Sequence, residues 1–178
     1  MKTRILLALS TILVLSAHTP AKERTEVSPR SLERIQKEVR HELLMLPHLG
    51  VFDHLAYRVN GPDVTLLGQV TQPTLKSDAE AVVKSIKGVE RVDNQIEILP
   101  VSQFDNILRL RLYRSIYGFG QLQKYALGAN QPILIVVKNG NVTLEGVVDS
   151  QSEKEIAGIR ANAVSDVFSA KNNLRVAR

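Results

Sequence analysis

The chain of 178 residues contains no cysteine, so it can form no disulfide, hold no metal through thiolate and carry no lipid on a cysteine behind a signal. Beyond its first residues no apolar run approaches the ~20 residues needed to cross a bilayer, and any membrane contact by the remainder would be peripheral. No nucleophile elbow, phosphate loop or paired-carboxylate pattern is present, which leaves no candidate catalytic residue and puts an enzyme behind a binding protein. His41, Glu42, His48, Asp53 and His54 have the chemistry of metal ligands but not a compact ligand spacing, and His41 falls on the solvent face of a helical segment. No metal and no cofactor is expected.

What the chain does have begins with an export signal. Lys2 and Arg4 supply the positive start, and Ile5 through Ser16 form an apolar stretch too short for a comfortable span. Small residues at Thr19 and Ala21 place cleavage after Ala21, with an uncleaved anchor as the alternative; residues 22–30 then read as a linker. Lys22 to Pro100 carries 11 basic and 12 acidic residues, whereas Val101 to Arg178 carries 10 basic and 6 acidic. An exported protein with its basic character in one half suits an anionic surface, and in an envelope that surface is phospholipid or polyanionic glycan rather than nucleic acid.

The chain is also one unit written twice. GPDVTLLGQV (Gly61 to Val70) returns as NGNVTLEGVV (Asn139 to Val148), and VDNQIEI (Val92 to Ile98) as AKNNLRV (Ala170 to Val176), both at an offset of 78 residues. Upstream the offset falls to 73, so that Ile35, Val39 and Leu43 match Leu108, Leu112 and Ile116. The second copy therefore carries five extra residues between its first helix and first strand.

Each copy shows apolar residues every three or four positions, then two alternating segments around Gly61-Pro62 or Asn139-Gly140, a second helical segment and a closing alternating strand. The pattern predicts helix or strand at 31–46, 55–60, 63–70, 73–87 and 90–99, then at 104–118, 132–138, 141–148, 150–164 and 167–177. The expected fold is α+β: two tandem α-β-β-α-β units, 31–100 and 101–178, each a small three-stranded mixed sheet covered by two helices.

The hairpin Asn139 to Val148, together with Gly88-Val89, Val92, Asn94, Ile96 and Ile98, resembles the signature of the BON domain, named for bacterial osmotically inducible and nodulation proteins. The resemblance covers both repeats. It departs from the family pattern at Asp166, where a glycine is usual, and at Pro62, which replaces the turn glycine of the first hairpin. It implies an exported binding module of the bacterial envelope, periplasmic and peripherally membrane-associated, with the outer membrane as one such surface. It further implies a role in envelope integrity or osmotic stress, and phospholipid binding, to anionic lipid above all.

Two groups of residues stand out against that frame. Asn94 and Asn172 occupy the inward phase of matching strands, where an amide must be hydrogen-bonded, and Gly68 and Gly146 end matching hairpin strands; all four read as structural. The other group is the helix at 104–118, which with the following turn holds Phe104, Tyr113, Tyr117, Phe119 and the arginines 109, 111 and 114. On a helical projection Leu108, Leu112 and Ile116 face a core, while Leu110, Tyr113 and Tyr117 gather almost opposite, flanked by Arg114. Leu110, Tyr113 and Arg114 match Lys37, Arg40 and His41 of the first copy, which are polar, so the shared core does not require this second face. The expected binding residues are thus Arg109, Leu110, Arg111, Tyr113, Arg114, Tyr117 and Phe119, meeting an anionic phospholipid surface. The alternatives are an envelope protein docked on the same helix, or burial of the face against the first repeat.

Overall fold

The computed structural model describes residues 28–127 and 131–177, so the expected export signal and most of the expected linker lie outside the described residues. The first repeat consists of α1 (Pro29–Leu44), β1 (His54–Asn60), β2 (Asp63–Val70), α2 (Pro73–Lys84), β3 (Arg91–Asn94) and β4 (Glu97–Ile98). The second consists of α3 (Gln103–Tyr117), a 3-10 turn (Gln123–Ala126), β5 (Ile133–Lys138), β6 (Asn141–Val148), α4 (Gln151–Asn162), β7 (Ser169–Asn172) and β8 (Arg175–Val176). This is the expected α+β pair of α-β-β-α-β units.

Local chemistry sets the boundaries. Ser28, Ser102 and Ser150 each accept a backbone N–H three residues on, starting α1, α3 and α4, and Glu153 completes a capping box with Ser150. Pro73, which needs no amide partner, opens α2. β1 and β2 pair antiparallel from His54–Gln69 to Asn60–Asp63, and β5 and β6 from Ile133–Gly146 to Lys138–Asn141. Both central residues of the second turn, Asn139 and Gly140, have positive φ, as a two-residue hairpin matching the strand twist requires. β2 and β6 then each receive a closing strand in parallel.

The closing strand differs from its prediction as one continuous element. It is broken in two in both repeats, as β3/β4 and β7/β8, and the amides sit at the break. Asn94 donates to the Lys76 carbonyl (2.8 Å) and to Glu80 (3.0 Å) on α2, while its oxygen accepts from Ile96 N (3.2 Å). Asn172 likewise donates to the Lys154 carbonyl on α4 (2.6 Å) and accepts from Leu174 N (3.2 Å). Each amide ties its second helix to the kink, and the freed N–H of Gln95 or Asn173 bonds the neighbouring strand at 2.9 Å. Gly68 and Gly146 have φ of 117° and 118°, and a Cβ on either would stand 1.9 Å from the carbonyl oxygen of His54 or Pro132. Only glycine lets the paired strands approach so closely.

Two cores result. Ile35, Val39, Leu66, Leu75, Ala79 and Val83 are central to the first, and Leu108, Leu112, Ile116, Ile135, Leu144 and Ala157 to the second. The longer connection of the second repeat contains the 3-10 turn, and Tyr125 on it does a job that an aspartate does in the first repeat. Asp53 accepts from the amide and hydroxyl of Thr71 at the end of β2 (2.6 and 2.8 Å). The matching amide of Asp149, at the end of β6, donates to the Tyr125 hydroxyl (2.7 Å), which donates onward to Glu153 (2.8 Å).

Candidate functional site

The repeats meet along one side of α3 and the outer edge of β5. Ile135 N, on that edge, donates to the Val51 carbonyl at 2.8 Å, so the loop after α1 covers a strand edge that would otherwise expose its backbone. The Phe52 ring meets Tyr113 edge-on, with centroids 6.4 Å apart and planes at 73°, and Tyr113 in turn packs on Tyr117 at 4.8 Å. Glu97 and Lys138 form an ion pair across the junction. A polar groove of about 430 Å³ runs beside that pair, lined by Gln69, Glu97, Lys138, Asn141 and Thr143 among others.

Two residues expected on the outward face of α3 are buried instead. Tyr117 is 3% exposed, and its hydroxyl donates to the Ile133 carbonyl at 2.5 Å; burial raises its pKa above the usual tyrosine value. Arg109 is also 3% exposed, donating to the Val137 carbonyl (2.7 Å) and Asn106 (2.5 Å) while its Nε has no hydrogen-bond partner. Desolvation pushes this guanidinium below its ordinary pKa, opposed by the nearby charges of Asp105 and Asp53. Tyr113 is half-buried against Phe52. The helical projection missed all three for one reason: it considers the helix alone, and here the first repeat's loop and the strand β5 close over the flank of α3.

A carboxylate is buried near Arg109. Asp105, fully buried one turn earlier, accepts from Asn139 N (2.8 Å) and Gly140 N (2.9 Å) and so clamps the β5–β6 turn onto α3. The first repeat has Leu32 at the position of Asp105 and Pro62, which has no N–H, at that of Gly140. The first repeat thus lacks both the carboxylate and the second of the two amides it would bind.

The other expected residues remain outside. Leu110 is 51% exposed, Arg114 is exposed, and Arg111 donates to Asp166 at 2.6 Å. Phe119, at the end of the helix, lies under the Arg160 guanidinium of α4 at 5.3 Å, apart from these three. Sequence reasoning overlooked Ile107 and Phe168 and did not place Phe104 on the surface; these are 45%, 74% and 44% exposed. Phe104 and Phe168 stack at 6.1 Å, and the Phe168 ring rests on Gly140, where a Cβ would stand 2.7 Å from it. Phe104, Ile107 and Arg111 follow helical spacing along one stripe of α3. Phe168 arrives from the loop after α4, and only the fold could bring it there.

The site is therefore an apolar patch of Phe104, Ile107, Leu110 and Phe168 beside Arg111 and Arg114. The matching positions of the first repeat are Ser31, Arg34, Lys37 and Glu90, with Glu38 and His41 in place of the arginines. Among the described residues no three His, Cys, Asp or Glu side chains converge as metal ligands, and no helix is long and apolar enough to cross a membrane.

The BON domain model matches residues 31–100 and 121–178. The chain belongs to the BON domain family. Its members are envelope-associated binding domains rather than catalysts. The second match begins after α3, yet α3 stands in the second repeat where α1 stands in the first. No curated protein matches the chain. Two solved structures of CdsD, a structural protein of the type III secretion system of Chlamydia trachomatis, are similar at 12% identity. Their TM-scores are 0.28 and 0.29, with 80% and 82% of this chain and 96% and 94% of theirs covered. Scores of that size support no inference about this chain.

Proposed function

We propose that this tandem BON protein is a non-enzymatic module, exported to the periplasm, that attaches peripherally to anionic phospholipid through the outer face of α3 and serves envelope integrity or osmotic stress. One observation carries the reading: two repeats of one fold present the same surface, and it is polar in the first and apolar with arginine in the second. A shared core cannot account for that difference, and a solvated surface does not need four large apolar side chains grouped together. Phe104, Ile107, Leu110 and Phe168 are suited to shallow insertion among acyl chains, and Arg111 and Arg114 to headgroup phosphates. The surplus of basic over acidic residues lies in the same half of the chain. At about 1 kcal/mol per basic residue near an anionic surface, two arginines and four partly exposed apolar groups give reversible attachment, not a permanent anchor.

The test is cosedimentation of the mature protein with phosphatidylglycerol vesicles at low salt. Phe104→Ser with Phe168→Ser should weaken binding by the folded protein at least tenfold, since two large apolar groups leave the patch, with only a modest fall in melting temperature from loss of the stacked pair, because neither ring belongs to a core. Lys37→Ser with Arg40→Ser in the first repeat should leave binding as it is. No binding by the wild-type protein, with retention of a specific envelope protein in high salt, would transfer this face to protein docking.

A further inference from the structure

Asp166 is out of place on this surface. The first repeat puts Gly88 at the matching position, with φ of 94°, a left-handed conformation natural to glycine. Asp166 adopts φ of 72° there, a conformation that strains an L residue even though aspartate bears it better than most. Its return is the contact with Arg111, 55 positions away in the chain, at 2.6 Å. Both partners are about half exposed, and an ion pair in that setting adds little to stability, so the pair does not repay the strain.

Its position gives it another consequence. Phe168 lies two residues on, stacked on Phe104, so the carboxylate stands at the rim of the apolar patch. Arg109 is buried and Arg111 is held by Asp166, which leaves Arg114 as the arginine of α3 with no side-chain partner among the described residues. We propose that Asp166 is an affinity-limiting residue, an internal stand-in for a headgroup phosphate that occupies Arg111 and must be displaced before Arg111 can meet a phosphate of the lipid. This rests on the lipid-docking reading above. A carboxylate facing an anionic surface opposes attachment through its charge, and by holding the guanidinium it also withholds a charge-assisted hydrogen bond. Together these keep attachment reversible and raise the anionic lipid content needed for it.

Binding would be measured on phosphatidylcholine vesicles with about one-third phosphatidylglycerol, for the wild type, Asp166→Asn, Asp166→Gly, Arg111→Gln and the double variant Arg111→Gln with Asp166→Asn. Asparagine and glycine both accept the left-handed backbone, so these variants should fold, which the melting temperature checks. Removing a negative charge alone should tighten binding about fivefold in either background, by the usual contribution of one charge near an anionic surface. Competition for Arg111 predicts more: at least about tenfold where Arg111 is present and only about fivefold in the Arg111→Gln background, because a freed bond to phosphate adds to the charge effect. Wild-type binding with an equal gain in both backgrounds, or with none, would overturn the role of Asp166 and leave lipid docking standing. Binding by the Asp166 variants but not by the wild type would support it, and failure of every form to bind would overturn both readings.

Discussion

Asn94 and Asn172 show how much a single polar residue can hold in this fold. Each amide joins a second helix to the kink in the closing strand, through a donated bond to a helical carbonyl and an accepted bond from a strand amide. Leucine has nearly the same size and none of the bonding capacity. Asn94→Leu or Asn172→Leu should therefore destabilise its own repeat by about 1–3 kcal/mol, the cost of leaving those backbone groups unpaired, as read from urea unfolding of the full chain. A change below about 0.5 kcal/mol at either position would show that water replaces the amide. Asp105 works by the same logic with a charge, holding the β5–β6 turn to α3 through two backbone amides.

At the scale of elements, the inserted 3-10 turn is the part of the second repeat with no counterpart in the first. It is fastened by Lys124, which bridges Asp149 (2.6 Å) and Glu153 (2.7 Å), and by Tyr125 between the same two residues. The bond from Lys124, with those from Tyr125 and Ser150, holds the Glu153 carboxyl at about 2, against an ordinary 4.5. A depressed carboxyl contributes stability that is fully present above its unfolded value and lost as the pH falls through its folded value. The second repeat should accordingly lose this contribution between about pH 4.5 and pH 2. Glu153→Gln should be less stable than wild type near neutral pH, and the gap between them should close across that window. A constant gap from neutral pH down to about 2 would mean that the clasp acts by shape rather than charge.

For the whole molecule, the decisive feature is that α3 has three working sides. One packs into the second core, one meets the first repeat through Tyr113, and the third carries the open apolar patch. Phe52→Ser with Tyr113→Ser removes an aromatic pair from the junction and should lower the melting temperature by several degrees, because such a pair contributes about 0.5–1.5 kcal/mol beyond its buried area. Vesicle binding by the folded protein should be preserved. Loss of binding with unchanged stability would mean that Tyr113 belongs to the open surface.

The doubled α-β-β-α-β order, the hairpin turns, the two glycines and the inward asparagines were all legible in the sequence because each rests on local rules. Periodicity shows which side of an element is dry, and turn residues show where the chain reverses. Repetition at a fixed offset shows that two stretches obey the same constraints. The same comparison located the surplus apolar character on the helix of the second repeat. Its division was not legible. Whether Tyr113, Tyr117 or Arg109 faces water depends on a loop some 60 residues earlier and on a strand of another layer, and Phe168 joins Phe104 only when the loop after α4 folds across the β5–β6 turn. Burial is a property of all the neighbours at once, so the sequence by itself determined that this helix carries more apolar surface than one core can use, and the tertiary structure decided which part of that surface the protein keeps for itself.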